Sequence, residues 1–369
     1  MTALSRSHIR PLAGSHFHFL DLLKAFAAQL IVLHHLALYG PMTDHARPIA
    51  PALFDWLESH ARIAVQVFLV IGGFLAAKAL APRGLSVVEN PLLATVRRFF
   101  KLVPPFLAAI ALSVAASALA RSWMTDDSIS APPTLEQLAA HALLLHSVLG
   151  YESLSAGVWY VAVDFQLYAL LALLLWLAGY LTRGRPAPWL GPALVTAGIV
   201  ASLLYFNRDP EWDDWAPYFL GSYGLGALAW WASDKTRPLM ATALLLIAML
   251  APVLAGSVLD FRVRIAVALV TALVLVAVYR WGLLFPDRRS SVIAFMGRIS
   301  YAVFLVHFSV CLVVNAAFTR FATAEPLMQA LGVLVAWAAS IATGALFYRW
   351  VEVPLNRLTT SMRAPAAAS

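Results

Sequence analysis

"LDLLKAFAAQLIVLHH", residues 20–35, opens on an aspartate and a lysine, runs through apolar side chains and closes on two histidines. A helix turns about 100° and rises about 1.5 Å per residue, so Lys24 and His35 lie within about 20° of one face and roughly 16 Å apart along the axis. Asp21 falls about 40° to the other side of that face, and His34 is turned about 100° away from His35. Ionisable groups are costly in lipid, so such a face belongs to a bundle interior or a wet cavity. Histidine exchanges a proton near neutral pH, which makes His35 a candidate base. The competing reading is an imidazole that bonds a backbone carbonyl or sits at the membrane interface.

The rest of the chain is of the same kind. Of 369 residues, 61% are hydrophobic and 12% charged, and the mean hydropathy is +0.78. Apolar runs of about 20 residues recur from end to end, which leaves no soluble domain of useful size. They predict spans at 19–38, 64–80, 102–120, 158–181, 189–206, 215–232, 238–258, 263–284, 294–318 and 328–350. The fold class is therefore an all-α membrane protein, with about ten transmembrane helices in one bundle. The first run is too long for a cleaved leader and is followed by no small-residue cleavage site, so it reads as a permanent span. Residues 135–149 are apolar but short and carry Glu136, His141 and His146, a pattern that suits a re-entrant or interfacial helix.

Lysine and arginine test the topology independently, because they collect in short cytoplasmic loops. One set of connections holds Arg83, Arg97, Arg98 and Lys101, then Arg183 and Arg185, Lys235 and Arg237, and Arg280, Arg288, Arg289 and Arg298; the end of the chain adds Arg349, Arg357 and Arg363. The alternate connections are acidic or mixed, with Asp44, Asp55 and Glu58, then Asp126, Asp127 and Glu152, then Asp209, Glu211, Asp213 and Asp214. Both termini are then cytoplasmic, with a segment 1–18, a transmembrane domain 19–357 and a tail 358–369. This placement accounts for the net charge of +7 and the pI near 9.7 without nucleic acid. Trp212, Trp215, Trp230 and Trp231 flank the sixth span as interface anchors would. The single cysteine, Cys311, lies in an apolar run and reads as a buried inert thiol. No His/Asp/Glu spacing implies a metal.

The opening stretch resembles the first span of the acyltransferase-3 family of integral membrane acyltransferases, which carries D-x-x-R and a histidine eleven residues after the arginine. That spacing falls on His35, with Lys24 in place of arginine. Further resemblances follow in family order. "VFLVIGGFLAAKAL" (67–80) is similar to F-F-x-x-S-G-F-L with Gly72 for serine, and "VRRFFKLVPPF" (96–106) to R-R-x-x-R-x-x-P with Lys101 for the third arginine. "VWYVAVDFQLYAL" (158–170) resembles W-S-L-x-x-E-x-x-F-Y, with Asp164 for glutamate and Trp159 and Tyr168 in register. "MGRISYAVFLVHF" (296–308) resembles G-x-I-S-Y-x-x-Y-L-x-H, and "YRWVEVPLNR" (348–357) the terminal Y-R-x-x-E-x-P.

The resemblance implies a ten-helix bundle in the bacterial inner membrane. Such a bundle moves an acyl group, commonly acetyl from acetyl-CoA, to a hydroxyl of an extracytoplasmic carbohydrate, glycolipid or other acceptor, in some cases beside polysaccharide-assembly machinery. No cofactor is held permanently, since acyl-CoA is a substrate. Acyl transfer needs a base, an oxyanion donor and a cationic place for the CoA phosphates. His35 is the expected base, and Asp164 is expected to orient it or to bind the sugar. Lys24, Arg97, Arg98 and Lys101 are expected at the phosphates, with Asp21, Trp159, Tyr168, Arg298, Ser300 and His307 supporting the site or lining its cavity. Glu352 is expected to pair with Arg349 or a neighbour. The rival readings are a transporter of a lipid-linked sugar or metabolite, which would also use intramembrane charges, and a non-catalytic family member.

Overall fold

The computed structural model describes residues 17–183, 185–282 and 291–361. Residues 1–16 of the expected N-terminal segment, Arg288 and Arg289, and the tail from residue 362 with Arg363 lie outside the described residues. Long helices dominate: α1 (Phe17–Leu38), the short α2 (Pro41–Ala46) and α3 (Pro51–His60), α4 (Ala64–Leu80), α5 (Pro91–Trp123), the short α6 (Leu135–Ala142), α7 (Val158–Leu181), α8 (Leu190–Leu204), α9 (Ala216–Ala232), α10 (Leu239–Leu259), α11 (Val263–Trp281), α12 (Ser291–Phe321) and α13 (Pro326–Phe347). A π-helical turn, Tyr348–Glu352, leads into α14 (Val353–Ser361). Pro354 follows that turn and has no N–H to continue the regular ladder.

Among the described residues, nine helical segments are long and apolar enough to cross a membrane. The sixth expected span, α9, has 17 residues, which at about 1.5 Å each still approaches the thickness of a hydrocarbon core. It runs the length of the bundle. At one end Gly84 backs onto Pro188 and Arg237, and Arg280 bonds the carbonyls of Asp234 and Arg237. The basic connections therefore gather there. At the other end Asp127 and Glu152 wall one cavity and Asp213 and Asp214 wall its neighbour. The charge alternation along the chain thus corresponds to two physical ends of one bundle.

The centre of that bundle is α9, with 15 of its 17 residues buried. Trp231 is fully buried and donates from Nε1 to the Ala81 carbonyl at 2.7 Å, while Trp230 donates to the Pro82 carbonyl at 3.0 Å. Both tie α9 to the end of α4; Trp231, expected as an interface anchor, is instead buried, while Trp230 stays partly exposed. The helices meet backbone to backbone. A Cβ on Gly226 would overlap the Val70 carbonyl, and one on Gly73 would overlap the Tyr223 carbonyl. In lipid, association relies on such close packing, since burial of apolar surface drives little. Gly226→Ala is expected to destabilise the fold by about 1–3 kcal/mol through overpacking, read as a lower melting temperature in detergent. An unchanged melting temperature would mean that α4 and α9 can part without cost.

Candidate active site

Histidines from the first and the ninth expected spans come together. His35, near the end of α1, and His307, at mid-length in α12, are buried, and His35 Nδ1 lies 2.6 Å from His307 Nε2. The hydrogen bonds fix the tautomers by elimination. His307 Nδ1 faces the carbonyls of Phe304 at 2.8 Å and Val303 at 3.2 Å, so it must carry the proton. A neutral imidazole with N–H at Nδ1 has a lone pair at Nε2, which then accepts from His35 Nδ1–H. The Nε2 of His35 is left with its lone pair, as a base requires. His34 is held differently, with its Nδ1 2.9 Å from the Leu57 carbonyl. That is the bland role weighed above for either histidine.

His35 and His34 line a cavity of 370 Å³ with Tyr39, Arg62, Trp159, Tyr160 and Phe304, and with Asp127 and Glu152 at its polar rim. Another wall is the start of α7. Gly157 caps that helix with φ +84, and a Cβ there would press on the Phe304 ring at 3.1 Å and on His35 Cε1 at 3.6 Å. Glycine serves this position because it takes a positive φ freely and lets the chain pass the imidazole. The positive end of the α7 dipole therefore lies beside His35. Arg62 adds a full cation, its guanidinium 5.7 Å from the Trp159 ring centroid.

Asp164 does not reach His35. It pairs with Arg98 at 2.5 Å, and Arg98 also covers the Tyr168 ring at 5.1 Å. The orienting partner expected of Asp164 is supplied by His307. Asp164 sits on the second turn of α7, rotated towards α5 and α9 and away from the helix start that meets His35. The absence of a side chain at Gly72 belongs to the same packing, since a Cβ there would meet the Tyr223 ring at 2.9 Å and Asp164 Oδ1 at 3.0 Å.

The basic run of α5 divides in the same way. Arg98 turns into the bundle, whereas Arg97 and Lys101, one helical turn apart, are exposed. Lys24 pairs with Asp21 at 2.7 Å, and Gly297 packs directly on Asp21. Ser300 donates to the Gly297 carbonyl at 2.9 Å, and Arg298 is exposed. Glu352 keeps one carboxylate oxygen buried without a hydrogen bond, as do the Tyr301 and Tyr223 hydroxyls and Arg98 Nε. The cations that act on it are Lys101 and Lys24. Tyr301 in turn feels Glu352, Arg98 and Asp164, and Tyr160, which lines the His35 cavity, feels Asp164 and Arg98. Polar groups thus form a column from Asp21 and Lys24 to the cavity. Arg62 and Gly157 escaped the sequence reading. The signal for Arg62 was a cation directly ahead of the second span, in a connection that holds three acids and one other cation, Arg47.

Next to the cavity wall formed by Glu152 and Ser155, the stretch read as a re-entrant or interfacial helix is the short α6 followed by turns. His141 and His146 stack there, with ring centroids 4.1 Å apart and both side chains buried. His141 is satisfied by the Gln137 carbonyl and the Leu154 N–H, whereas neither nitrogen of His146 has a partner. Burial, and then His141, push the His146 imidazole down from 6.5 to about 3. The unfolded segment therefore takes up a proton below about pH 6.5 that the folded one refuses until about pH 3. Stability conferred by this site is full above the upper value and falls as pH drops through that window. Amide protection of residues 141–157 is expected to weaken on acidification, and His146→Leu is expected to flatten that slope. A slope unaltered in the variant would assign it to other groups.

No curated protein and no solved structure gives a significant match to this chain. A family model described as an acyltransferase domain, that of acyltransferase-3, matches residues 17–349. The match covers nearly every helix of the bundle, including both that supply the paired histidines, and on this extent the chain belongs to the acyltransferase-3 family of membrane acyltransferases.

Proposed function

We propose that the protein is an O-acyltransferase of the bacterial inner membrane, moving an acyl group, most simply acetyl, from cytoplasmic acyl-CoA to a hydroxyl of an extracytoplasmic carbohydrate or glycolipid. The observation that carries this reading is the His35–His307 pair at the cavity wall. His35 Nε2 takes the acceptor proton as the hydroxyl oxygen attacks the thioester carbonyl. The developing oxyanion is stabilised by the start of α7 and by Arg62. Collapse expels the CoA thiolate, which takes the proton back from His35. His307 holds the reactive tautomer and accepts the Nδ1–H bond throughout.

In this reading the basic end of the bundle faces the cytoplasm, with both termini on that side. Arg97 and Lys101 meet the CoA phosphates, and the pantetheine arm follows the polar column past Lys24, Glu352 and Arg98. The axial distance of roughly 16 Å from Lys24 to His35 is a length such an arm can cover. The single unit 19–357 carries the whole reaction, beside polysaccharide-assembly machinery where the acceptor is a polymer.

The test is mass spectrometry of surface glycans from cells with and without the protein, together with turnover of labelled acetyl-CoA by the purified chain. The expected result is a glycan ester that disappears with the protein and a purified chain that consumes the label. Transport of an unmodified acceptor without acetyl-CoA turnover would overturn the reading in favour of a transporter.

A further inference from the structure

Beside the 370 Å³ cavity that ends on His35 lies a second, outer one of 520 Å³. The two share Arg62, Val65 and Trp159, so they lie side by side across the Arg62–Trp159 contact. Each part falls within the roughly 300–1,000 Å³ of sites that enclose a ligand. A cavity that ends on the base, with a larger one directly beside it, has room for more than the group that reacts.

The lining of the outer part says what it takes. Gln66 is 7% exposed. Its Oε1 accepts from the Ser222 hydroxyl at 2.6 Å, and its amide N–H₂, without a hydrogen-bond partner among the described residues, is left for the cavity. Arg62 likewise makes no hydrogen bond or ion pair among the described residues, only its contact with Trp159. Asp213 and Asp214 bring acceptors with no such partner, on a loop held by Gln166, which bonds the Asp214 carbonyl at 3.2 Å and the Ala216 N–H at 3.0 Å. An anionic ligand would satisfy Arg62 and Gln66 and be repelled by the aspartates, while the other cation of the lining, Arg264, is already engaged by the Tyr218 hydroxyl at 2.7 Å. A hydrocarbon would strand all four. A sugar ring donates and accepts through its hydroxyls and offers an apolar face to an indole.

We propose that the acceptor is a glycan of at least two sugar units, with the reacting unit against His35 and the next unit beyond Trp159, held by Gln66, Arg62, Asp213 and Asp214 in the outer cavity. The inference rests on the reading of His35 as the base of a glycan acyltransferase.

The test uses unacylated glycan from cells lacking the protein, cut by mild hydrolysis and separated into single sugars, pairs and longer pieces. Each fraction is offered with radiolabelled acetyl-CoA to the full chain in detergent. The expected result is a kcat/KM at least about tenfold higher for two or more units than for one. Asp213→Asn combined with Asp214→Asn, and separately Ser59→Trp, which fills the outer cavity without touching its charges, are expected to draw the two values together, mainly through KM. Equal use of single sugars and longer pieces, or a length preference that both variants retain, would overturn the inference alone. If no carbohydrate fraction takes label while acetyl-CoA is consumed with another cell fraction, the glycan reading itself fails and takes this inference with it.

Discussion

His35→Ala is expected to lower kcat by about 10²–10⁴-fold, the range lost when a general base is removed, with little change in the melting temperature of the bundle. The reason is the single lone pair that the hydrogen-bond chain from the Phe304 carbonyl through His307 leaves on His35 Nε2. The partner tests that chain more sharply. His307→Ala lets the His35 ring rotate and take either tautomer, and an orienting residue of this kind is expected to contribute about 10–100-fold. His307→Gln keeps an amide oxygen to accept from Nδ1–H and is expected to recover part of the loss through kcat, with KM for acyl-CoA nearly constant. Full activity in His35→Ala would remove the base from this position. Equal losses in the alanine and glutamine variants of His307 would assign that residue to packing.

Arg98→Ala is expected to destabilise the protein by about 3–5 kcal/mol, because it leaves the Asp164 carboxylate buried without its partner. The Asp164 side chain is only 10% exposed, and it lies deep among helices where water cannot take over. Removing both charges avoids the stranded ion, so Arg98→Ala with Asp164→Ala is expected to melt well above Arg98→Ala alone. Double-mutant analysis of melting in detergent reads the coupling directly. Arg97 and Lys101, exposed on the same helix, are expected to behave in the opposite way. Their alanine variants should raise KM for acyl-CoA and leave stability within about 0.5 kcal/mol. A stable Arg98→Ala with only a raised KM would return Arg98 to the phosphate-binding group to which its motif assigns it.

These contrasts mark how far local pattern reaches. The positions of the long helices were legible because hydropathy is a property of consecutive residues and a bilayer demands about 20 of them. Even α9, below that length, was found by its apolar run. Its place at the centre was not, because Trp230 and Trp231 look alike in sequence whether they meet lipid headgroups or the carbonyls of Ala81 and Pro82. The motif resemblance led to His35 and His307 separately. For Asp164 it left two roles open, orienting His35 or binding the sugar, and the structure pairs the residue with Arg98 in place of the first.

The sequence by itself determined the class of molecule, the positions of its long apolar helices, the gathering of basic connections at one end, and the histidine on the charged face of the first helix. All of these depend on composition and on periodicity within one helix. The tertiary structure alone decided which groups meet: His35 with His307 across 272 residues, Arg98 with Asp164 across 66, and the two cavities side by side at Arg62 and Trp159. Pairing between helices depends on their relative rotation and depth. Those are set by close backbone packing at positions such as Gly73 and Gly226, where the missing side chain specifies an approach and not a partner.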